Sequence, residues 1–111
     1  MRKSWLFTIL LLLAVVSCSN RKQVRKPEVF LDEQQMINVL ADTYLIESQL
    51  NQIKVDGNDV SQFQVDYYTQ LFEHYGITDS IFELNMNYYT HHPDILERIM
   101  DSVANRFAQT Q

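Results

Sequence analysis

The chain has 111 residues, nine basic and fourteen acidic, for a formal charge of −5. That balance argues against a nucleic-acid binder, because phosphate contact needs clustered Lys and Arg. A single cysteine, Cys18, leaves no intrachain disulfide, and two glycines, Gly57 and Gly76, leave no glycine-rich phosphate loop.

The chain starts Met1-Arg2-Lys3, and Trp5 to Val16 is then apolar except for Thr8. As a helix those twelve residues are about 18 Å long, short of the roughly 30 Å of bilayer hydrocarbon. The run reads as the apolar centre of a secretory signal spanning residues 1–17. Its end, Val15-Val16-Ser17-Cys18, resembles the lipobox of bacterial lipoproteins. The resemblance implies a diacylglycerol thioether on Cys18, cleavage before it, and an acyl group (such as palmitate) on the new N-terminus. Such chains hold a protein on a membrane at about 0.8 kcal/mol per buried methylene. Arg21, Lys22, Arg25 and Lys26 outnumber Arg2 and Lys3, which is unusual for a segment carried across a membrane. An inverted anchor would answer that, but the run is too short to span.

Cleavage would leave seven basic residues against fourteen acidic ones. Residues 18–26 carry four positives and no negatives, while 27–111 carry Lys54, Arg98 and Arg106 against all fourteen acids. Residues 18–30 read as a lipidated basic tether, broken by Pro27, whose positives suit anionic headgroups or plain solvent. The remainder, 31–111, is one small domain near the size at which a core barely suffices.

Within it the sequence predicts an all-α bundle of about four helices. Asp32 and Gln35 form a capping box, with Leu31 and Met36 as the hydrophobic staple, for a first helix from about Glu33 to Ile53. Asp56-Gly57-Asn58-Asp59 is turn chemistry. Ser61 and Gln64 repeat the box, with Val60 and Val65 as staple, for a second helix to Tyr75, and Gly76 suits its left-handed end. Thr78 caps a third helix, stapled by Ile77 and Phe82, with Asp79 at its positive end. His91-His92-Pro93 breaks it, and Pro93 opens a fourth helix to about Ala108. No stretch alternates with period two for long enough to be a strand.

The fourth helix has one stripe, Ile95, Leu96, Ile99, Met100, Val103 and Phe107, opposite Glu97, Asp101 and Asn105. The first has two. Ile37, Leu40, Ala41, Tyr44 and Leu45 form one; Val39, Ile46, Leu50 and Ile53 form the other. A helix apolar on most of its circumference is either central in a bundle or faces a partner. The second and third helices add arcs edged with tyrosine, whose apolar body and wet hydroxyl suit both core margins and interfaces. The candidate partner-facing residues are therefore Val39, Ile46, Leu50, Ile53, Tyr67 and Tyr88.

No feature specifies an enzyme: no thiol is free, no serine has a nucleophile elbow, and the carboxylates are too many for any pair to stand out. No cofactor is implied. His74, His91 and His92, with Asp94 near the last two, are candidate metal ligands. They lack helical i, i+4 spacing, and adjacent histidines beside a proline are ordinary loop and cap residues. A non-enzymatic interaction module, docking an envelope protein or a second copy by helix packing, fits the surplus apolar surface. A chaperone-like holder is a related reading, and a metal or small-ligand binder using the three histidines is the alternative.

The stretch "YYTQLFEHYGITDSIFELNMNYYTHHPDIL" resembles a family of short uncharacterised lipoproteins of Gram-negative bacteria, known as a domain of unknown function. The residues that carry the resemblance are Tyr67, Tyr68, Tyr75, Gly76, Ile77, Thr78, Phe82, Tyr88, Tyr89 and Pro93, with Asn85 where the pattern has serine. The first helix, "MINVLADTYLIESQL", fits as well, and the likeness covers about residues 31–107. It implies a small helical fold and an envelope location, and brings no established activity. Ser19 after the cysteine implies sorting to the outer membrane. The absence of acidic residues there implies the periplasmic face.

Overall fold

In the computed structural model, which describes residues 3, 4 and 23–109, Asp32 starts the first helix as its spacing to Gln35 predicts. The Asp32 carboxylate accepts the Gln35 N–H at 2.8 Å, and the Gln35 side chain accepts the Asp32 N–H at 2.9 Å. Both staple residues, Leu31 and Met36, are buried. Among the described residues there are four helices and no strand: α1 (Glu33–Val55), α2 (Ser61–Tyr75), α3 (Asp79–Thr90) and α4 (Pro93–Gln109). The protein is thus a small all-α bundle. The apolar run from Trp5, the box ending at Cys18, and Arg21 and Lys22 lie outside the described residues.

The helix ends follow local chemistry. Gly57 and Gly76 both adopt positive φ, at 84° and 64°. At Gly76 the Ile77 N–H reaches the Phe72 carbonyl at 3.0 Å and the Gly76 N–H reaches that of Glu73 at 3.1 Å, a Schellman motif. Thr78 caps α3 by accepting the Ile81 N–H. The His92 carbonyl accepts the first N–H groups of α4, from Ile95 and Leu96, so Pro93 sits where no donor is needed. The expected box at Ser61 does not form. Val60 is already helical and makes no side-chain cap, and Asp59 accepts the Ser61 N–H at 2.9 Å instead. Asp is as good a cap as Ser and reaches the second helical N–H from one position earlier. That bond holds the Asp59 carboxyl below its usual range.

Helix α1 is the centre, packed against both α4 and α2, while α3 packs against α4. Glu33 pairs with Arg98, Asn38 with Arg106, and the Tyr44 ring meets Phe107, so α1 and α4 run in the same direction. Tyr75 bonds Asp42 and Tyr68 bonds Glu47, so α2 runs back along α1. The core is built from Leu31, Met36, Leu40, Ala41, Tyr88, Tyr89, Ile99 and Val103. None of those residues belongs to α2, whose single buried residue is Leu71. Past Tyr44, α1 continues eleven residues to Val55, about 16 Å of helix, while α4 continues only from Phe107 to Gln109. The far halves of α1 and α2 therefore form a two-helix arm beyond the core.

Candidate functional site

Two features fall outside what a helical core requires, and the first concerns where the tether meets the domain. Residues 29–31 lie as a strap on α3, held by Asn85, which is completely buried. The Leu31 N–H donates to Asn85 Oδ1 at 2.8 Å; Asn85 Nδ2 donates to the Val29 carbonyl at 2.9 Å and to the Ile81 carbonyl at 2.8 Å. The donors and acceptors around the amide admit only this orientation. The Tyr89 hydroxyl donates to the Leu31 carbonyl at 2.6 Å. Phe30 packs edge-on to Tyr88 at 5.2 Å and stacks on Tyr89 at 5.9 Å, and the Lys26 ammonium lies 4.8 Å over the Phe30 ring. The domain therefore begins before residue 31. Burial, with Glu33 next in importance, pushes the Tyr89 hydroxyl up to about 12.

The second feature is the groove on the outer side of the α1–α2 hairpin, a cavity of about 350 Å³. Leu45, Ile46, Tyr67 and Leu71 supply its apolar surface, and Asp42, Gln49, Gln70 and His74 its polar edge. The hairpin is closed by two tyrosine latches, Tyr75 to Asp42 and Tyr68 to Glu47, with the Tyr75 hydroxyl also 3.2 Å from the Asn38 carbonyl. Both hydroxyls are pushed up to about 12, first by burial and then by the carboxylate each one meets. Tyr44 and Leu45, in the middle of α1, stay 49% and 50% exposed.

This arrangement corrects the expected partner face. Val39 and Leu50 are buried, on the side of α1 along which α2 packs. Tyr88 is buried in the main core. Two of the four residues of the second apolar stripe, Val39 and Leu50, are thus spent inside the same chain, and these two and Tyr88 present nothing outward. Ile46, Ile53 and Tyr67 remain partly exposed, Ile46 and Tyr67 in the groove. Sequence reasoning missed Leu45 as a surface residue, because it lies in the stripe shared with buried Leu40 and Ala41. It missed Asn85 because a polar residue inside an amphipathic helix gives no sign of what it holds.

The structure places the three histidines on separate features. His74 edges the groove and meets the Tyr75 ring edge-on at 4.9 Å. His91 and His92 end α3, with Nδ1 atoms 2.8 Å from the carbonyls of Asn87 and Tyr88 respectively. A carbonyl only accepts, so each Nδ1 carries its proton, and both rings serve as caps. His92 also stacks on Tyr88 at 4.2 Å. Among the described residues no three His, Cys, Asp or Glu side chains gather as a metal-binding group, and no helix is long and apolar enough to cross a membrane.

A family model described as Domain of unknown function (DUF4296) matches residues 27–111. The chain belongs to that family. No curated protein and no solved structure matches it. The DUF4296 match opens at Pro27, so it takes in the whole strap as well as the four helices. The strap and its clasp on α3 are thus inside the family's own span.

Proposed function

We propose that the protein is a lipid-anchored envelope protein that acts as a non-enzymatic interaction module. In this reading Cys18 is acylated and carries the domain on the outer membrane, facing the periplasm. The apolar leader and the Val15–Cys18 box support the anchor. The clasp supports a defined display: ten residues lie between Cys18 and Val29, so the domain is held within about 40 Å of its mooring. The observation that carries the interaction reading is Leu45. A leucine half exposed in the middle of the central helix, beside a groove bearing Ile46 and Tyr67, is unspent apolar surface on a small domain.

The test has two parts. Mass spectrometry of the natural protein is expected to find a chain starting at acylated Cys18, and Cys18→Ala is expected to leave the membrane fraction. Photo-crosslinkers placed in cells at exposed Leu45, Val65 and Leu84 are expected to capture a partner protein. A bare Cys18 with the leader still attached overturns the anchor. Three silent positions overturn the interaction module.

A further inference from the structure

Resting on the lipid anchor of the proposed function, we infer that the strap is a load clamp: a pull on the tether is passed to Asn85 and Tyr89 of α3 and does not reach the first turn of α1. Chain order makes this possible. Coming from Cys18, the backbone meets the clasp at Val29 and Leu31 before it enters α1 at Glu33. Without the clasp the pull would fall on the first turn of α1. The leading N–H groups of a helix have no partner within it, and helix ends open most readily. Both bonds of the Asp32–Gln35 box are exposed, so water can replace them one at a time.

The clasp is arranged so that its bonds are loaded together. One planar amide holds both ends of the segment, with Nδ2 on the Val29 carbonyl and Oδ1 on the Leu31 N–H. Val29 cannot move without turning the group that holds Leu31. The amide is braced in its turn, because its other Nδ2 proton goes to the Ile81 carbonyl of its own helix. The Tyr89 hydroxyl adds a third attachment, at the Leu31 carbonyl. Asn85 is 0% and Tyr89 1% exposed, so no solvent stands ready to replace these bonds as they stretch. Phe30, packed on Tyr88 and Tyr89, and Lys26 over its ring carry the contact back towards the tether. Behind the clasp, Tyr88 and Tyr89 belong to the same core as Ile99 and Val103 of α4, so the load ends in the packing of α3 on α4.

The experiment is single-molecule pulling on the full chain, synthesised without acylation and kept in detergent. Cys18 is the only thiol, so one handle is attached there and the other at the C-terminus. A second geometry moves the first handle to exposed position 34, by Gln34→Cys in a Cys18→Ala chain, and so bypasses the clasp. With the clasp intact, opening is expected to be at least about tenfold slower through Cys18 than through position 34 at the same pull. Asn85→Ala is expected to speed opening about tenfold through Cys18, and about threefold or less through position 34, where it acts only by lowering overall stability. Tyr89→Phe is the milder second variant, expected to speed opening about threefold through Cys18 and not measurably through position 34. Circular dichroism of each variant before pulling separates a lost clamp from a lost fold. Equal opening through the two attachment points with the clasp intact overturns the proposal. So does acceleration by Asn85→Ala and Tyr89→Phe that is the same for both points. The handles supply the pull, so the clamp stands or falls on these results, whereas a bare Cys18 in the natural protein overturns the anchor alone.

Discussion

Asn85 does with one side chain what a strand partner does with a ladder, satisfying an N–H and a carbonyl of a segment that has no regular structure. Asn85→Ala leaves Leu31 N–H and the Val29 carbonyl without partners inside the protein, and each such group costs about 1–3 kcal/mol. A matching drop in the denaturant midpoint checks this. Asn85→Asp separates donor from acceptor. The carboxylate still accepts from Leu31, but it faces the Val29 and Ile81 carbonyls with no proton to offer. Protonation restores that donor, so the variant is expected to regain stability as pH falls, whereas Asn85→Ala does not. The tyrosine hydroxyls give a second pH signature in the native protein. Tyr68, Tyr75 and Tyr89 ionise near 12 in the fold instead of near the ordinary 10. Between those values the unfolded chain has lost protons that the folded chain keeps. Their stabilising effect is therefore complete below pH 10 and is lost as pH rises towards 12. Denaturant midpoints through that window are expected to fall, and to fall less in Tyr89→Phe, which carries no such proton. Little of this was legible in sequence. Asn85 sits within a run of amphipathic residues, and its partners Val29 and Leu31 lie more than fifty positions away.

Helix boundaries were legible because they rest on contacts three or four residues apart. Asp32, Gly76, Thr78 and Pro93 act where their chemistry places them. The shift from Ser61 to Asp59 is the exception, where two capping residues compete and the earlier one wins. The faces of α1 were harder. Two apolar stripes admit either a central helix or an interface, and what decides is the direction in which α2 returns. Gly57 and Gly76 set that return and the next one. Gly76 adopts left-handed dihedrals with open space where a Cβ would stand, so Gly76→Ala meets a purely conformational cost. That cost is about 1–2 kcal/mol. Thermal or denaturant unfolding is expected to show it, with Gly76→Asn losing less, since asparagine tolerates this conformation better. An unaffected Gly76→Ala protein would mean that α2 and α3 can join by another turn.

At the scale of the whole molecule the fold divides into a core and an arm, and the division makes the groove possible. The main cluster joins the strap, the first half of α1, α3 and α4, whereas α2 is held by Val39, Leu50 and Leu71 together with the two tyrosine latches. Local opening follows local packing. Amide exchange is therefore expected to rank the first half of α1 and α4 as most protected, with α2 and the last turns of α1 opening at lower free energy. Tyr68→Phe and Tyr75→Phe remove one latch each, worth about 1 kcal/mol. Each is expected to speed exchange in α2 while α4 is untouched. If instead all four helices exchange at one free energy, or the latch variants loosen α4 equally, the arm is part of a single cooperative unit.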